Sequence, residues 1–274
     1  MTINCKGKLI ELSSPKVMGI LNITPDSFYD GGHHKNESAI LNHVELMLNQ
    51  GATFIDIGAY SSRPNADFVS KTIELQRIVP IVELVLKNFP DALISIDTFR
   101  SNVAKQCIEA GAALVNDISA GKLDELMLQT VANLKVPYIM MHMKGTPQTM
   151  QQHTQYNHLT KDILFYFSER IAAAKALGLI DIIIDPGFGF AKTLEQNYQL
   201  LNELELFKMV EKSILVGVSR KSMIYKTLET TASEALNGTT VLNTIALQKG
   251  ASILRVHDVK EAMECVKLMN SLNS

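Results

Sequence analysis

Several patterns are missing from this 274-residue chain, and each absence removes a class of function. Cysteine is scarce. Cys5, Cys107 and Cys265 are odd in number and widely spaced, which gives neither a disulfide framework nor metal-ligand spacing. They suit a reducing compartment, and Cys107 and Cys265 sit in apolar helical patterns where a small buried hydrophobe is expected. No apolar run approaches the roughly 20 residues needed to cross a bilayer. The N-terminal MTINCKGKLIELSS also lacks the basic-then-apolar order of a signal peptide, so no membrane partner is expected. The net charge is −2 and the basic residues are scattered, so there is no cationic stripe for nucleic acid. No linker or low-complexity tract interrupts the chain, and one domain over residues 1–274 is expected. No serine occupies a nucleophile elbow, which removes serine-hydrolase logic.

What is present is a regular alternation of short apolar runs with longer amphipathic ones. The runs rich in Val, Ile and Leu are Val17 to Ile23, Phe54 to Gly58, Leu93 to Asp97, Ala113 to Asp117, Tyr138 to Met143, Ile182 to Asp185, Ile214 to Val218 and Ile253 to Val256. They alternate little, as strands covered on both faces should. Helical patterns fill the gaps: Asn42 to Gln50, Thr72 to Lys87, Ser101 to Ala110, Asp124 to Lys135, Asp162 to Leu177, Leu194 to Val210, Glu234 to Lys249 and Val259 to Leu268. Glycine follows several of them, at Gly51, Gly111, Gly178 and Gly250, where a helix stops and turns back. Eight βα units in 274 residues, about 34 residues each, predict a single α/β (β/α)8 TIM barrel.

In that fold the active site lies at the C-terminal ends of the strands. Those ends carry Asn22, the Ser61-Ser62-Arg63 loop, Asp97, Asn116, His142, Asp185, Lys221, and Arg255 with His257. Asp97, Asn116 and Asp185 are rich in acceptors, which suits a flat heterocycle presenting N–H donors. Arg63, Lys221, Arg255 and His257 supply the positive charge that a phosphate group requires. The glycine-bearing Asp185-Pro-Gly-Phe-Gly-Phe-Ala-Lys192 matches no nucleotide-binding fingerprint and reads as a tight turn. His33, His34, His153 and His158 lie in polar stretches and are expected at the surface, whereas His142 either joins the site or supports its floor. Of the twelve methionines, most stand at helical core spacing and are expected to fill gaps.

Eight segments, in order, resemble the dihydropteroate synthase family over nearly the whole chain. They are Met18-Gly-Ile-Leu-Asn-Ile-Thr-Pro-Asp-Ser-Phe28 with Asp30-Gly-Gly32, Asp56-Ile-Gly58 with Ser61-Ser-Arg-Pro64, Ser95-Ile-Asp-Thr98, Asn116-Asp-Ile-Ser119, Met141-His-Met-Lys-Gly-Thr-Pro-Gln148, Asp185-Pro-Gly-Phe-Gly-Phe190, Gly217-Val-Ser-Arg-Lys-Ser222 and Arg255-Val-His257. The resemblance implies a transferase of folate biosynthesis that joins 6-hydroxymethyl-7,8-dihydropterin diphosphate to p-aminobenzoate, working as a cytoplasmic homodimer with Mg2+. By the same match Asp97, Asn116, Asp185 and Lys221 would hold the pterin ring. Asn22, with Asp30, would bind Mg2+ and the diphosphate beside Arg255 and His257. Phe28, Ser62, Arg63, Pro64, Phe190, Lys221 and Ser222 would shape the p-aminobenzoate pocket, and Lys221, Asp97, Asp185 and Arg63 would carry catalysis. The chain departs from the family's second-loop pattern, Gly-Glu-Ser-Thr-Arg-Pro-Gly, by having Ala59 and Tyr60 for Gly-Glu, Ser62 for Thr and Asn65 for Gly. Alternatives are a pterin-binding corrinoid methyltransferase, a non-catalytic pterin-binding paralogue, and an aldolase using Lys221 as a Schiff-base amine.

Overall fold

The computed structural model describes residues 1–23, 33–60 and 69–273. Two short antiparallel strands, β1 (Thr2–Cys5) and β2 (Lys8–Glu11), form an N-terminal hairpin. Eight strands follow: β3 (Lys16–Asn22), β4 (Phe54–Gly58), β5 (Ile94–Asp97), β6 (Leu114–Asp117), β7 (Tyr138–Met141), β8 (Ile182–Asp185), β9 (Ser213–Val216) and β10 (Ile253–Val256). They pair in parallel in sequence order, and β10 also pairs with β3, so the sheet closes into a barrel. Helices lie between the strands: α1 (His33–Asn49), α2 (Lys71–Asn88), α3 (Ser101–Glu109), α4 (Met127–Leu134), α5 (Leu159–Ala176), α6 (Leu194–Asn202), α7 (Ser222–Thr227), α8 (Leu236–Gln248) and α9 (Val259–Asn273). This is the (β/α)8 barrel that the alternation predicts.

Because strand side chains alternate sides, each strand supplies two sets of residues. The outward set, including Ile55, Ile57, Ile94, Ile96, Val115, Met140, Ile184, Val216 and Leu254, packs in one cluster with the helices. The inward set begins apolar. Met18, Phe54, Leu114, Ile139, Ile183, Leu215 and Ile253 fill the N-terminal end of the barrel together with Ile3 and Cys5 of the hairpin. Burying a side chain such as Phe54 from water contributes about 2–3 kcal/mol. The hairpin, absent from the expected elements, therefore closes the end of the barrel that does no chemistry. Its Lys6-Gly7 turn takes both residues into positive φ, 53° and 82°, as a two-residue hairpin of this hand requires. The backbone N–H of Asn4 donates to Asp181 Oδ2 at 2.8 Å, tying the hairpin to the entrance of β8.

Three further expectations need correction. Leu194 to Val210 is two pieces, α6 and a 3₁₀ helix, Leu204–Val210. Tighter winding brings residues three apart onto one face, and it turns both Leu204 and Phe207 into the core. Helix α1 begins at His33, well before Asn42, since its first two turns have too few apolar residues to show a period. Most methionines are buried as expected, but Met1 and Met209 are exposed, and Met18, Met140 and Met141 fill the core from strands. All three cysteines are free and buried.

Candidate active site

Moving toward the C-terminal end, the inward set turns polar within one register step. Phe54 is followed on the same face by Asp56, and Ile253 by Arg255. Arg255 reaches across the barrel, donating from Nε to Asp56 Oδ2 at 2.6 Å and from Nη2 to Asp97 Oδ2 at 2.7 Å. Asn116, in register with Asp97, donates from Nδ2 to Asp56 Oδ2 at 3.1 Å. An ionised carboxylate only accepts, so the amide must face it with nitrogen, and Asn116 Oδ1 is left as an acceptor. Gly58 makes room for this group: a Cβ there would lie 3.3 Å from the Asp97 Cβ. Burial pushes the Asp97 carboxyl up to about 7, while the Arg255 guanidinium pulls it back. The same two carboxylates hold the Arg255 proton more tightly than usual, against the opposing effect of burial. Asp56 was not singled out from sequence. A lone charge inside the apolar run Phe54-Ile-Asp-Ile-Gly58 was the available signal.

The opposite wall comes from β8 and the segment after β9. Asp185, paired with Met141, accepts the Gly187 N–H at Oδ1, 2.8 Å. Its carboxyl is pushed up by burial and drawn down by Lys221. Lys221 caps the N-terminus of α7 with extended backbone; its Nζ donates to the Phe188 carbonyl at 2.5 Å and sits 4.9 Å from the centroid of the Phe190 ring. Burial lowers this ammonium to about 8, with Asp185 opposing. Gly217 lies between these groups, where a Cβ would make ordinary contact, 3.8 Å from the Arg255 Cβ and 4.0 Å from Lys221 Nζ. Ser222 begins α7 immediately beside Lys221.

His142 does not join this group. Its buried ring packs against Tyr166, with centroids 4.8 Å apart, and Nδ1 lies 3.1 Å from Lys192 Nζ. It alternates to the outer side because Met141 is the inward residue. Lys192, unrecognised from sequence, also donates to the carbonyls of Gly187 and Phe190, at 2.8 and 3.0 Å, and so fixes the turn that carries Asp185 and Phe190. Gly187 is obligatory in that turn, since its φ is 74° and a Cβ would fall 2.2 Å from the His142 carbonyl oxygen. Burial, followed by Lys192, Lys144 and Lys122, keeps His142 well below its usual proton affinity, so it is neutral. His142, Met143, Lys144, His153, Ser119, Lys122 and Tyr166 line a separate cavity of about 400 Å³ outside the barrel mouth. His153 and His158 are exposed as expected.

At the rim, Asn22 ends β3 with its side chain exposed, opposite Gly58. His257 follows β10, with Nδ1 3.0 Å from Ser219 Oγ and its N–H donated to the same oxygen. Arg220 binds both oxygens of Asp258 at 2.8 and 2.9 Å, joining the segments that carry Lys221 and His257. Phe28, Asp30, Ser62, Arg63, Pro64 and Asn65 lie outside the described residues, as do the side chains of His33 and His34. Tyr60, just before that second gap, is buried. Its hydroxyl accepts from Gln148 Nε2 at 2.8 Å, its ring meets Phe99 edge-on at 5.1 Å, and the Arg100 guanidinium lies 5.3 Å from its centroid. Arg100 also pairs with buried Glu74 and donates to the Val69 carbonyl. Among the described residues no group of three or more His, Cys, Asp or Glu is arranged to hold a metal ion, and no described helix is long and apolar enough to cross a membrane.

Asp97 and Asn116 on one wall of the barrel mouth thus face Asp185 and Lys221 on the other, with Arg255 bridging Asp56 and Asp97. A family model described as pterin binding enzyme matches residues 18–257, which places the chain in that class. Dihydropteroate synthase of Escherichia coli K12 is 42% identical over 274 residues, covering 99% of this chain and 96% of the relative. The crystal structure of Yersinia pestis dihydropteroate synthase with a sulfonamide drug complex superposes with a TM-score of 0.92 at 41% identity, covering 100% of this chain and 99% of that one. Xanthomonas albilineans dihydropteroate synthase with 4-aminobenzoic acid gives a TM-score of 0.91 at 34% identity, with coverage of 100% and 98%. The chain belongs to the dihydropteroate synthase family, a family of transferases.

Proposed function

We propose that this chain, acting as one barrel domain, condenses 6-hydroxymethyl-7,8-dihydropterin diphosphate with p-aminobenzoate, releasing 7,8-dihydropteroate and diphosphate. The observation that carries the reading is the meeting of Asp97, Asn116, Asp185, Lys221 and Arg255, from five separate segments, at one barrel mouth. Asp97 and Asp185 accept ring N–H groups and Asn116 Oδ1 adds a third acceptor. The bond from the pterin methylene carbon to the diphosphate oxygen breaks, and the arylamine nitrogen takes its place on that carbon. The arylamine is neutral at pH 7, so its surplus proton leaves to solvent or to diphosphate and no strong base is required. Positive charge that develops on the ring system is steadied by the two carboxylates, which are fixed before reaction and need no reorganisation.

Arg255 is assigned to the departing diphosphate. Its Nε and Nη2 are engaged by Asp56 and Asp97, so Nη1 is the nitrogen left to approach the leaving group. His257 stands beside it on the same strand end, and Arg63 is assigned to the same charge. Asn22 suits Mg2+ as an exposed, hard oxygen ligand, and Asp30 is assigned as its companion. This ion takes few protein ligands and relies on phosphate oxygens and water. When bound, Mg2+ supplies charge neutralisation on the diphosphate. Phe28, Ser62, Pro64, Phe190 and Ser222 are assigned to the p-aminobenzoate side of the pocket. The chain is assigned to a homodimer, and exposed Val241 on α8 and Leu268 and Leu272 on the adjacent α9 offer apolar surface for its seam. Three free buried cysteines support a cytoplasmic location.

The test is direct: incubate the chain with the dihydropterin diphosphate, labelled p-aminobenzoate and Mg2+, and separate the products. Labelled dihydropteroate appearing in proportion to enzyme is expected. Its absence, with the substrates recovered intact, contradicts the reading.

A further inference from the structure

Among the described residues, only three buried side-chain oxygens have no hydrogen-bond partner: Asp56 Oδ1, Ser95 Oγ and Asn243 Oδ1. Two of them are neighbours. Asp56 on β4 and Ser95 on β5 are register partners in the parallel ladder, both fully buried and both on the inward face. Paired strands run about 4.8 Å apart, so these side chains stand next to one another beneath the ring pocket. One is a carboxylate oxygen short of a donor, and the other is a hydroxyl with an unspent proton. A buried carboxylate oxygen without a donor is costly, more so than the net gain of an average hydrogen bond. A serine hydroxyl needs only rotation about one staggered bond to change its partner.

We infer that Ser95 is a positioning residue: its hydroxyl donates to Asp56 Oδ1 and completes the set of donors that holds the Asp56–Arg255–Asp97 bridge. Asp56 then receives Arg255 Nε and Asn116 Nδ2 on one oxygen and Ser95 Oγ on the other. Ser95 touches neither ring nor diphosphate. It acts through Asp56, whose orientation sets both the reach of Arg255 to Asp97 and the amide orientation of Asn116, two of the groups that face the ring. The apolar neighbours on its own strand, Ile94 and Ile96, face the helices and offer no competing acceptor.

The role of Ser95 rests on the proposed ring site, and two measurements separate the two claims. In a crystal structure of the ligand-free protein, Ser95 Oγ should lie about 2.6–2.8 Å from Asp56 Oδ1. A separation beyond hydrogen-bond reach overturns the inference whatever the chain catalyses. In calorimetry, Ser95→Ala should weaken binding of the dihydropterin diphosphate about five- to tenfold, the scale of one average hydrogen bond felt at the ring through Asp56. The KM for p-aminobenzoate should stay within about twofold of the wild-type value. Unchanged ring affinity, or equal losses for both substrates, would overturn the positioning role. Failure of the wild-type chain to bind the ring at all would instead overturn the proposed function, leaving the crystallographic distance to decide the contact.

Discussion

The two ends of this barrel are built from the same strands and differ in one register step. At the N-terminal end the inward residues are Met18, Phe54, Leu114, Ile139, Ile183, Leu215 and Ile253, sealed by a hairpin. At the C-terminal end the next inward positions on five of those strands are Asp56, Asn116, Met141, Asp185 and Arg255, with Asp97 completing the ring from β5. The lower layer is stabilised by leaving water. The upper layer buries charge, and it stays folded because each charge has been given a partner. One end thus supplies the free energy that lets the other hold side chains in costly states, which is the trade a preorganised site requires.

This contrast can be broken at either end. The largest effect expected is Phe54→Ala, which should remove about 3–5 kcal/mol of unfolding free energy in urea titration. Ring affinity of the still-folded fraction should change less than twofold; a large loss of affinity would show that the lower layer does more than support. Next, Lys221→Ala should lower kcat/KM at least about a hundredfold, equivalent to roughly 2.7 kcal/mol. Its melting temperature should change by only a few degrees, because burial disfavours the removed ammonium while Asp185 and the Phe188 carbonyl lose a donor. Near-normal turnover would contradict its place in the site. Asp185→Asn should weaken dihydropterin binding about tenfold or more while sparing p-aminobenzoate, since an amide offers one acceptor oxygen where the carboxylate offers two. Equal losses in calorimetry would contradict a ring-reading role.

A smaller effect comes from pH. Asp97 has a folded value of about 7, above that of an unfolded aspartate. The folded form therefore binds the extra proton between about pH 4 and pH 7, and as pH falls through 7 the cost of its buried charge is relieved. The ligand-free protein should gain stability from this group on that descent, while ring affinity drops several-fold between pH 8 and pH 6 as the acceptor is lost. Parallel urea and calorimetric series check the opposed signs; the same sign in both would refute the assignment. The smallest effect is Tyr60→Phe. Losing the Gln148 bond should raise the KM for p-aminobenzoate about two- to fivefold, the scale of about 1 kcal/mol or less. An unchanged KM would mean that this departure from the family pattern is silent.

The eight strands and the barrel were legible because outward positions are apolar in every unit, giving runs such as Ile182-Ile-Ile184 that only a doubly covered strand explains. Asp97, Asn116 and Asp185 were legible because a polar residue closing such a run stands out. Asp56 was not, since it sits mid-run, and its function depends on Arg255, 199 positions away. Lys192 was hidden at the end of a glycine turn, where its reach back to three acceptors is a property of the folded loop. The hairpin has strands of four residues, too short for alternation to register. The break at Glu203 lacks Gly or Pro, and it follows from how Leu204 and Phe207 pack. Local pattern reports which face a residue takes; which distant partner it meets is decided by the barrel's closure.

The most direct test of the central claim is a crystal structure of the protein with a dihydropterin bound. The ring should lie flat in the C-terminal mouth, its N–H groups on Asp97, Asn116 and Asp185, with Lys221 alongside. A ring lodged instead in the cavity between Lys122, His142 and His153, with those carboxylates untouched, would contradict that claim.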